Sequence, residues 1–160
     1  MSRTRRSSQF SGETLNRIQI KLPALSINES MARAAVAAFV SQLDPGVTEI
    51  ADIKCAVSEA VTNAIVHGYR DTPETGSITI TVSILSGRAV KIEIKDQGCG
   101  IPDVGQARQP LYTTDAAGER SGMGFTVMES FTDRMRVRSR VGKGTTVVLT
   151  KKLTGRQMDY

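Results

Sequence analysis

The chain has 160 residues, 39% hydrophobic and 23% charged, a composition suited to one soluble globular domain long enough to bury a core. No apolar run approaches the roughly 20 residues that span a bilayer, and the basic start Met1-Ser2-Arg3-Thr4-Arg5-Arg6 leads into no apolar leader. A cytoplasmic protein is expected, and two isolated cysteines, Cys55 and Cys99, with a lone histidine exclude a zinc site.

The net charge of +5 is unevenly placed. Residues 1–21 hold Arg3, Arg5, Arg6, Arg17 and Lys21 against Glu13, while the other residues carry 16 basic and 15 acidic side chains. A body so close to neutral argues against direct nucleic-acid binding. Residues 1–19 are expected to form a basic, disordered extension, 20–153 the folded domain and 154–160 a tail.

Ser26-Ile27-Asn28-Glu29 carries a capping-box pattern and opens a helix to about Gln42, with Met31, Ala34, Ala35, Ala38 and Phe39 at helical spacing. Asp44-Pro45-Gly46 ends it. A second helix is predicted over Val47–Val66, its apolar stripe formed by Ile50, Ile53, Val57, Ala60, Val61 and Ala64. The period then changes from 3.6 to 2. Ile78, Ile80, Val82 and Ile84 mark one strand, and Val90, Ile92 and Ile94 mark its hairpin partner across Ser86-Gly87-Arg88. After a long glycine-bearing loop come a short helix at about 124–132 and two strands at about 134–140 and 145–151. The sum is an α+β two-layer sandwich with helices on one face of a mostly antiparallel sheet.

Four groups of residues invite chemistry. Glu59, Asn63 and His67 recur every fourth residue along one side of the second helix, which stacks them in a row. Asparagine is a poor mid-helix residue and asks for another reason to be there. Asp96-Gln97-Gly98-Cys99-Gly100 follows a strand, where glycines permit close backbone approach. Gly122-Met123-Gly124 precedes a helix, whose free amides favour anions. Gly144-Thr145-Thr146 leads into the last strand. Each alone also reads as ordinary structure: a polar stripe, a turn, a helix start and a hairpin. His67 is read as a helix-end residue making a structural hydrogen bond, with phosphate contact as the alternative. Arg134, Arg136, Arg138 and Arg140 read first as a solvated strand face and second as a contact stripe for an acidic partner.

In their order and spacing, Glu59-x-x-x-Asn63, Asp96-x-Gly98-x-Gly100, Gly122-x-Gly124 and Gly144-Thr145 resemble the nucleotide motifs of the Bergerat-type ATPase superfamily that includes gyrase, Hsp90, histidine kinases and MutL. The stretches Val57–Tyr69, Ala107–Thr114 and Arg120–Glu129 are similar, within it, to the bacterial sporulation anti-sigma F factor family over about residues 20–153. Cys99 and the basic extension depart from that pattern.

The resemblance implies a protein-serine kinase that uses ATP and Mg2+, inhibits a sigma factor, phosphorylates an anti-anti-sigma protein on serine, and forms a homodimer. It implies that Asp96 accepts from the adenine amino group with support from Thr145 through water. Gly98 and Gly100 shape the base loop, and Gly100 lets the base lie close to the backbone. Asn63 holds the magnesium. Ser121, Gly122, Met123, Gly124 and Phe125 face the phosphates, and Glu59 is the general base. Thr113, Thr114 and Arg120 belong to a lid over about Asp103–Arg120, with Arg108 and Arg120 meeting γ-phosphate charge. Arg33 is the implied partner contact. The alternatives are a general-stress anti-sigma kinase, a histidine-kinase catalytic fragment and a non-catalytic ATP-gated binding module. Against the fragment, no phospho-acceptor helix is present.

Overall fold

The computed structural model describes residues 10–70, 75–110 and 124–155. In chain order they form β1 (Thr14–Pro23), α1 (Asn28–Val40), α2 (Val47–Asn63), β2 (Ser77–Leu85), β3 (Ala89–Asp96), α3 (Val104–Ala107), α4 (Gly124–Ser130), β4 (Arg134–Arg140) and β5 (Gly144–Lys152). A 3₁₀ turn over Ser41–Leu43 follows α1, and a π-helical turn over Ala64–Gly68 extends α2. The strands pair antiparallel in the order β1-β2-β3-β5-β4. The helices cover one face, as the two-layer reading expected.

Alternation sorts the strand residues between two environments. Ile78, Ile80 and Val82 of β2 sit in register with Leu22, Ile20 and Ile18 of β1. On the other side Ile80 and Val82 pair with Ile94 and Ile92 of β3. This face buries under Ile53, Ala56, Val57, Ala60 and Val61 of α2 and under Ala32, Val36 and Val40 of α1. Burying each branched side chain contributes about 1.5–3 kcal/mol relative to leaving it exposed. Alanines at 32, 56 and 60 let the helices approach closely.

Four features differ from the sequence expectations. β1 begins at Thr14, so residues 14–19, assigned to the disordered extension, belong to the sheet. Its alternation of Arg17, Gln19 and Lys21 with Ile18 and Ile20 marks an edge strand, whose charges keep the outer face wet. The buried side of α1 is Ala32, Val36, Ala37 and Val40, while Met31, Ala34 and Ala38 face outward. The valines bury more apolar surface than the alanine stripe and set the rotation. A short helix, α3, interrupts the glycine-bearing loop, with the Asp103 carboxylate accepting from the Gln106 N–H at 2.9 Å.

The fourth difference concerns capping. The Ser26–Glu29 box does not form: Ile27 occupies the N-cap of α1 without a side-chain cap. Glu29 instead accepts from the Ser58 hydroxyl of α2 at 2.5 Å and pairs with Arg33 at 3.6 Å. The equivalent glutamate interaction appears at α2, where Glu49 accepts from the Gly46 N–H at 2.9 Å. Glu49 also accepts from the N–H of Thr154 at 2.6 Å, its hydroxyl at 2.9 Å, and the Gly155 N–H at 3.3 Å. One carboxylate thereby joins the start of α2 to the chain after β5.

Desolvation raises the Glu49 pKa, but the donors on Thr154, Gly46 and Gly155 outweigh it and hold the group below the ordinary glutamate range. A carboxyl with a lowered native pKa stabilises the fold above its unfolded pKa, and that contribution fades as pH falls through the native one. Glu49→Gln should therefore cost about 1–2 kcal/mol near neutral pH, a figure discounted for its partial exposure. Urea titrations should show the gap between the two proteins closing in acid. A constant gap from neutral to strongly acid pH would refute the role of the charge.

Candidate nucleotide site

The alternation that buries Ile92 and Ile94 carries Asp96 to the same, helix-facing side at the end of β3. Asp96 is only 5% exposed. Its Oδ1 accepts from the Gly98 N–H at 2.9 Å and from the Thr145 N–H at 3.3 Å. Oδ2 has no hydrogen-bond partner among the described residues. Burial raises the Asp96 pKa, and the two backbone donors partly offset it. No buried side-chain oxygen among the described residues lacks a partner, so Oδ2 opens toward solvent, where a ligand or water can donate to it.

The loop after Asp96 is held on three sides. The Cys99 N–H donates to the Gly68 carbonyl at 2.8 Å and its thiol to the His67 carbonyl at 3.2 Å, which fixes the loop to the π turn. The Cys99 carbonyl accepts from the Gly142 N–H at 2.8 Å, which fixes it to the β4–β5 turn. Tyr69, buried beside them, donates its hydroxyl to the Ser77 carbonyl at 2.6 Å and accepts from the Gln97 N–H at 2.8 Å. Single π turns of this kind occur often at functional sites, where they widen a helix end.

Both loop glycines are required by chain-to-chain packing. A Cβ at Gly98 would lie 2.0 Å from the Gly68 carbonyl oxygen, and one at Gly100 2.2 Å from that of Arg140. Gly100 also has φ +75°, which side-chain-bearing residues rarely adopt. Its immediate constraint is thus the neighbouring strand turn.

Asn63 closes α2 as its last α-helical residue, and Glu59 precedes it by one turn on the same side. Both are half-buried. Neither side chain makes a hydrogen bond or ion pair among the described residues. The Asn63 amide lies against the start of α4, where a Cβ on Gly124 would be 2.9 Å from Nδ2 and 3.1 Å from Oδ1. Phe125 packs against the core and anchors that helix start. Gly68, five residues after Asn63, abuts Asp96: its Cβ would lie 3.1 Å from Oδ1. The π turn thus links the amide at one end to the carboxylate at the other.

Thr145 supports Asp96 directly through its N–H, and its hydroxyl shares a 2.7 Å hydrogen bond with Ser139. Ser139 also accepts from the Ile101 N–H at 2.7 Å. The sequence reading missed Ser139, Gly68 and Tyr69. Ser139 shares a strand face with Met135 and Val137, and a hydroxyl following two apolar residues there was the available signal. Arg108 pairs with Glu129 of α4 at 3.2 Å. Arg33 is exposed on α1. Thr113, Thr114, Arg120, Ser121, Gly122 and Met123 lie outside the described residues.

Comparison with known proteins accords with this geometry. The family described as "Histidine kinase-like ATPase domain" matches residues 22–151. The "Anti-sigma F factor" of Geobacillus kaustophilus is 54% identical over 136 residues, covering 85% of this chain and 92% of that protein. Those of Priestia megaterium and Clostridium acetobutylicum are 51% and 50% identical, each with 94% of its length covered. Among solved structures, the RsbU and RsbW domains of a Mycobacterium tuberculosis protein share the fold at TM-score 0.62 and 22% identity, over 90% of this chain and 34% of that one. The catalytic domain of the histidine kinase ThkA does so at TM-score 0.55 and 16% identity, over 85% of this chain and 96% of that one. With its sheet, its helix layer and its Asp96–Thr145 junction in place, the chain belongs to the anti-sigma F factor family of histidine kinase-like ATPase domains.

Proposed function

We propose that the protein is an ATP-dependent serine-protein kinase that binds and inhibits a sporulation sigma factor and phosphorylates that factor's anti-anti-sigma protein. The observation that carries the reading is the Asp96 carboxylate at the end of β3, buried against the π turn that leads from the Glu59–Asn63 row, with Oδ1 held by backbone donors and Oδ2 left for a ligand. Adenine offers an exocyclic N–H donor that suits Oδ2, while the backbone donors hold Oδ1 still. Gly124, Phe125 and the preceding Ser121–Met123 are assigned to the phosphates. Thr113, Thr114 and Arg120 are assigned to the lid over them.

Asn63 presents a hard amide oxygen for magnesium. Among the described residues no group of three His, Cys, Asp or Glu side chains could hold a metal, so the ion would take its other ligands from phosphates and water. When bound, it neutralises phosphate charge and aligns the triphosphate. Glu59 then accepts the proton of the incoming serine hydroxyl. The serine oxygen bonds to the γ-phosphorus as the bond from phosphorus to the β–γ bridging oxygen breaks, and ADP and phosphoserine protein leave.

Arg33 is the proposed sigma or anti-anti-sigma contact. Its ion pair with Glu29 is solvent-exposed and weak, and Met31 beside it is 46% exposed. This α1 surface suits a protein partner, and a homodimer is part of the same reading. The setting is cytoplasmic. Among the described residues no helix is long and apolar enough to cross a membrane.

Labelled ATP, magnesium and a candidate anti-anti-sigma protein should yield phosphoserine with the wild type. Glu59→Gln should retain ATP affinity and lose about 10²- to 10⁴-fold in transfer rate. Unchanged transfer would remove Glu59 as base, and ATP binding without transfer by the wild type would favour the gated module.

The raised pKa of Asp96 makes a second test. Protonation is easier in the folded state, so this group favours folding most below the ordinary aspartate pKa and less as pH rises through the native one. Adenine recognition has the opposite sign, because the amino group needs the ionised carboxylate. ATP affinity should fall as pH drops through the Asp96 pKa, measured by calorimetry. Asp96→Asn should bind more weakly at neutral pH and lose that step, and an identical pH profile in both proteins would contradict the assignment.

A further inference from the structure

The sheet face turned away from the helices carries a charge pattern that the nucleotide site does not use. Strand register sets Lys21, Lys95 and Arg138 in one cross-strand row. Gln19, Glu93 and Arg136 form the next row, and Arg17, Lys91 and Arg134 the third. Seven cations thus meet one carboxylate, Glu93, which pairs with Lys91 at 3.5 Å. The surplus on this face exceeds the +5 of the whole chain. A body neutral on average therefore separates its charge strongly between two sides.

The cations stand on β1, β3 and β4, and β2 and β5 between them present Thr81, Ser83 and Thr150, all buried at 9% exposure or less. Strand spacing puts the basic columns about 10 Å apart, with steps of about 7 Å along each strand. Arg17, Lys21, Lys95, Arg136 and Arg138 are exposed. None of them forms a salt bridge among the described residues. So many like charges on rigid strands repel one another, a cost that a complementary partner removes.

We propose that this open sheet face docks an acidic polypeptide segment of a partner protein. Arginine forks on β4 match carboxylates in bidentate geometry. A second copy placed face to face would oppose like charges. Single-stranded nucleic acid needs aromatic stacking platforms, and the three rows contain none. A duplex backbone would meet Glu93 in the central row, and among the described residues no helix or ribbon projects from this face to enter a groove. Because Asp96 faces the helix layer, on the opposite side of the sheet, the acidic partner and a nucleotide can bind together.

The test uses fluorescently labelled poly-L-glutamate and the full chain at low ionic strength, read by anisotropy. Arg136→Gln/Arg138→Gln should weaken binding by about tenfold, and Arg136→Glu/Arg138→Glu further. Lys54→Gln removes a charge from α2, on the other side of the sheet, and should leave binding near wild type. ATP affinity should be unchanged in every variant, which also reports folding; if the glutamate pair does not fold, the glutamine pair decides. An equal loss per charge removed in Lys54→Gln would overturn the proposal. So would tighter binding of a mixed-sequence DNA duplex than of poly-L-glutamate with the same dependence on Arg136 and Arg138.

Discussion

A carboxylate buried at the end of a central strand must be given donors or protonated, and much of the structure around Asp96 follows from that requirement. Its donors come from the next loop and from the neighbouring strand, at Gly98 and Thr145. To reach them the loop must turn back tightly and lie against both the π turn and the β4–β5 turn. That packing leaves no room for a Cβ at Gly98 or Gly100. The same contacts, with Tyr69 bridging Ser77 and Gln97, fix the end of α2 relative to the sheet. The site is therefore preorganised by backbone interactions, which hold position better than flexible side chains do.

α2 serves two purposes because its period separates them. One side, Ile53, Val57, Ala60 and Val61, is sealed in the core; the other bears Glu59 and Asn63, half-buried beside α4. Small residues on the buried side bring α1 close, and the turn of α1 toward Val36 and Val40 leaves Met31 and Arg33 outside. A rigid helix pair thus supports the polar row and displays a candidate partner surface at once. On the far side of the sheet, charge is gathered where no helix packs. A chain average near neutrality conceals this, since electrostatic recognition depends on local spacing and sign.

Much of the site could be read from short-range pattern. The four-residue spacing put Glu59 and Asn63 on one side of a helix, and alternation after Ile92 and Ile94 put Asp96 on the core side of its strand. Gly68, Tyr69 and Ser139 were harder to see, since their importance lies in contacts with residues far along the chain. Cys99, a departure from the family pattern, turned out to be a clamp: its backbone and thiol both bind the π turn.

Element type, strand alternation and the nucleotide motifs were determined by the amino-acid sequence alone, because periodicity and local backbone preference act between residues a few positions apart. Tertiary structure decided that β1 completes the sheet, which side of α1 is buried, that Glu29 takes the Ser58 hydroxyl in place of a local box with Ser26, and that Glu49 clasps Thr154. It also decided that basic residues from three strands form one surface. Each of these joins residues tens of positions apart, and strand register and competition for buried surface are settled only when the whole chain packs.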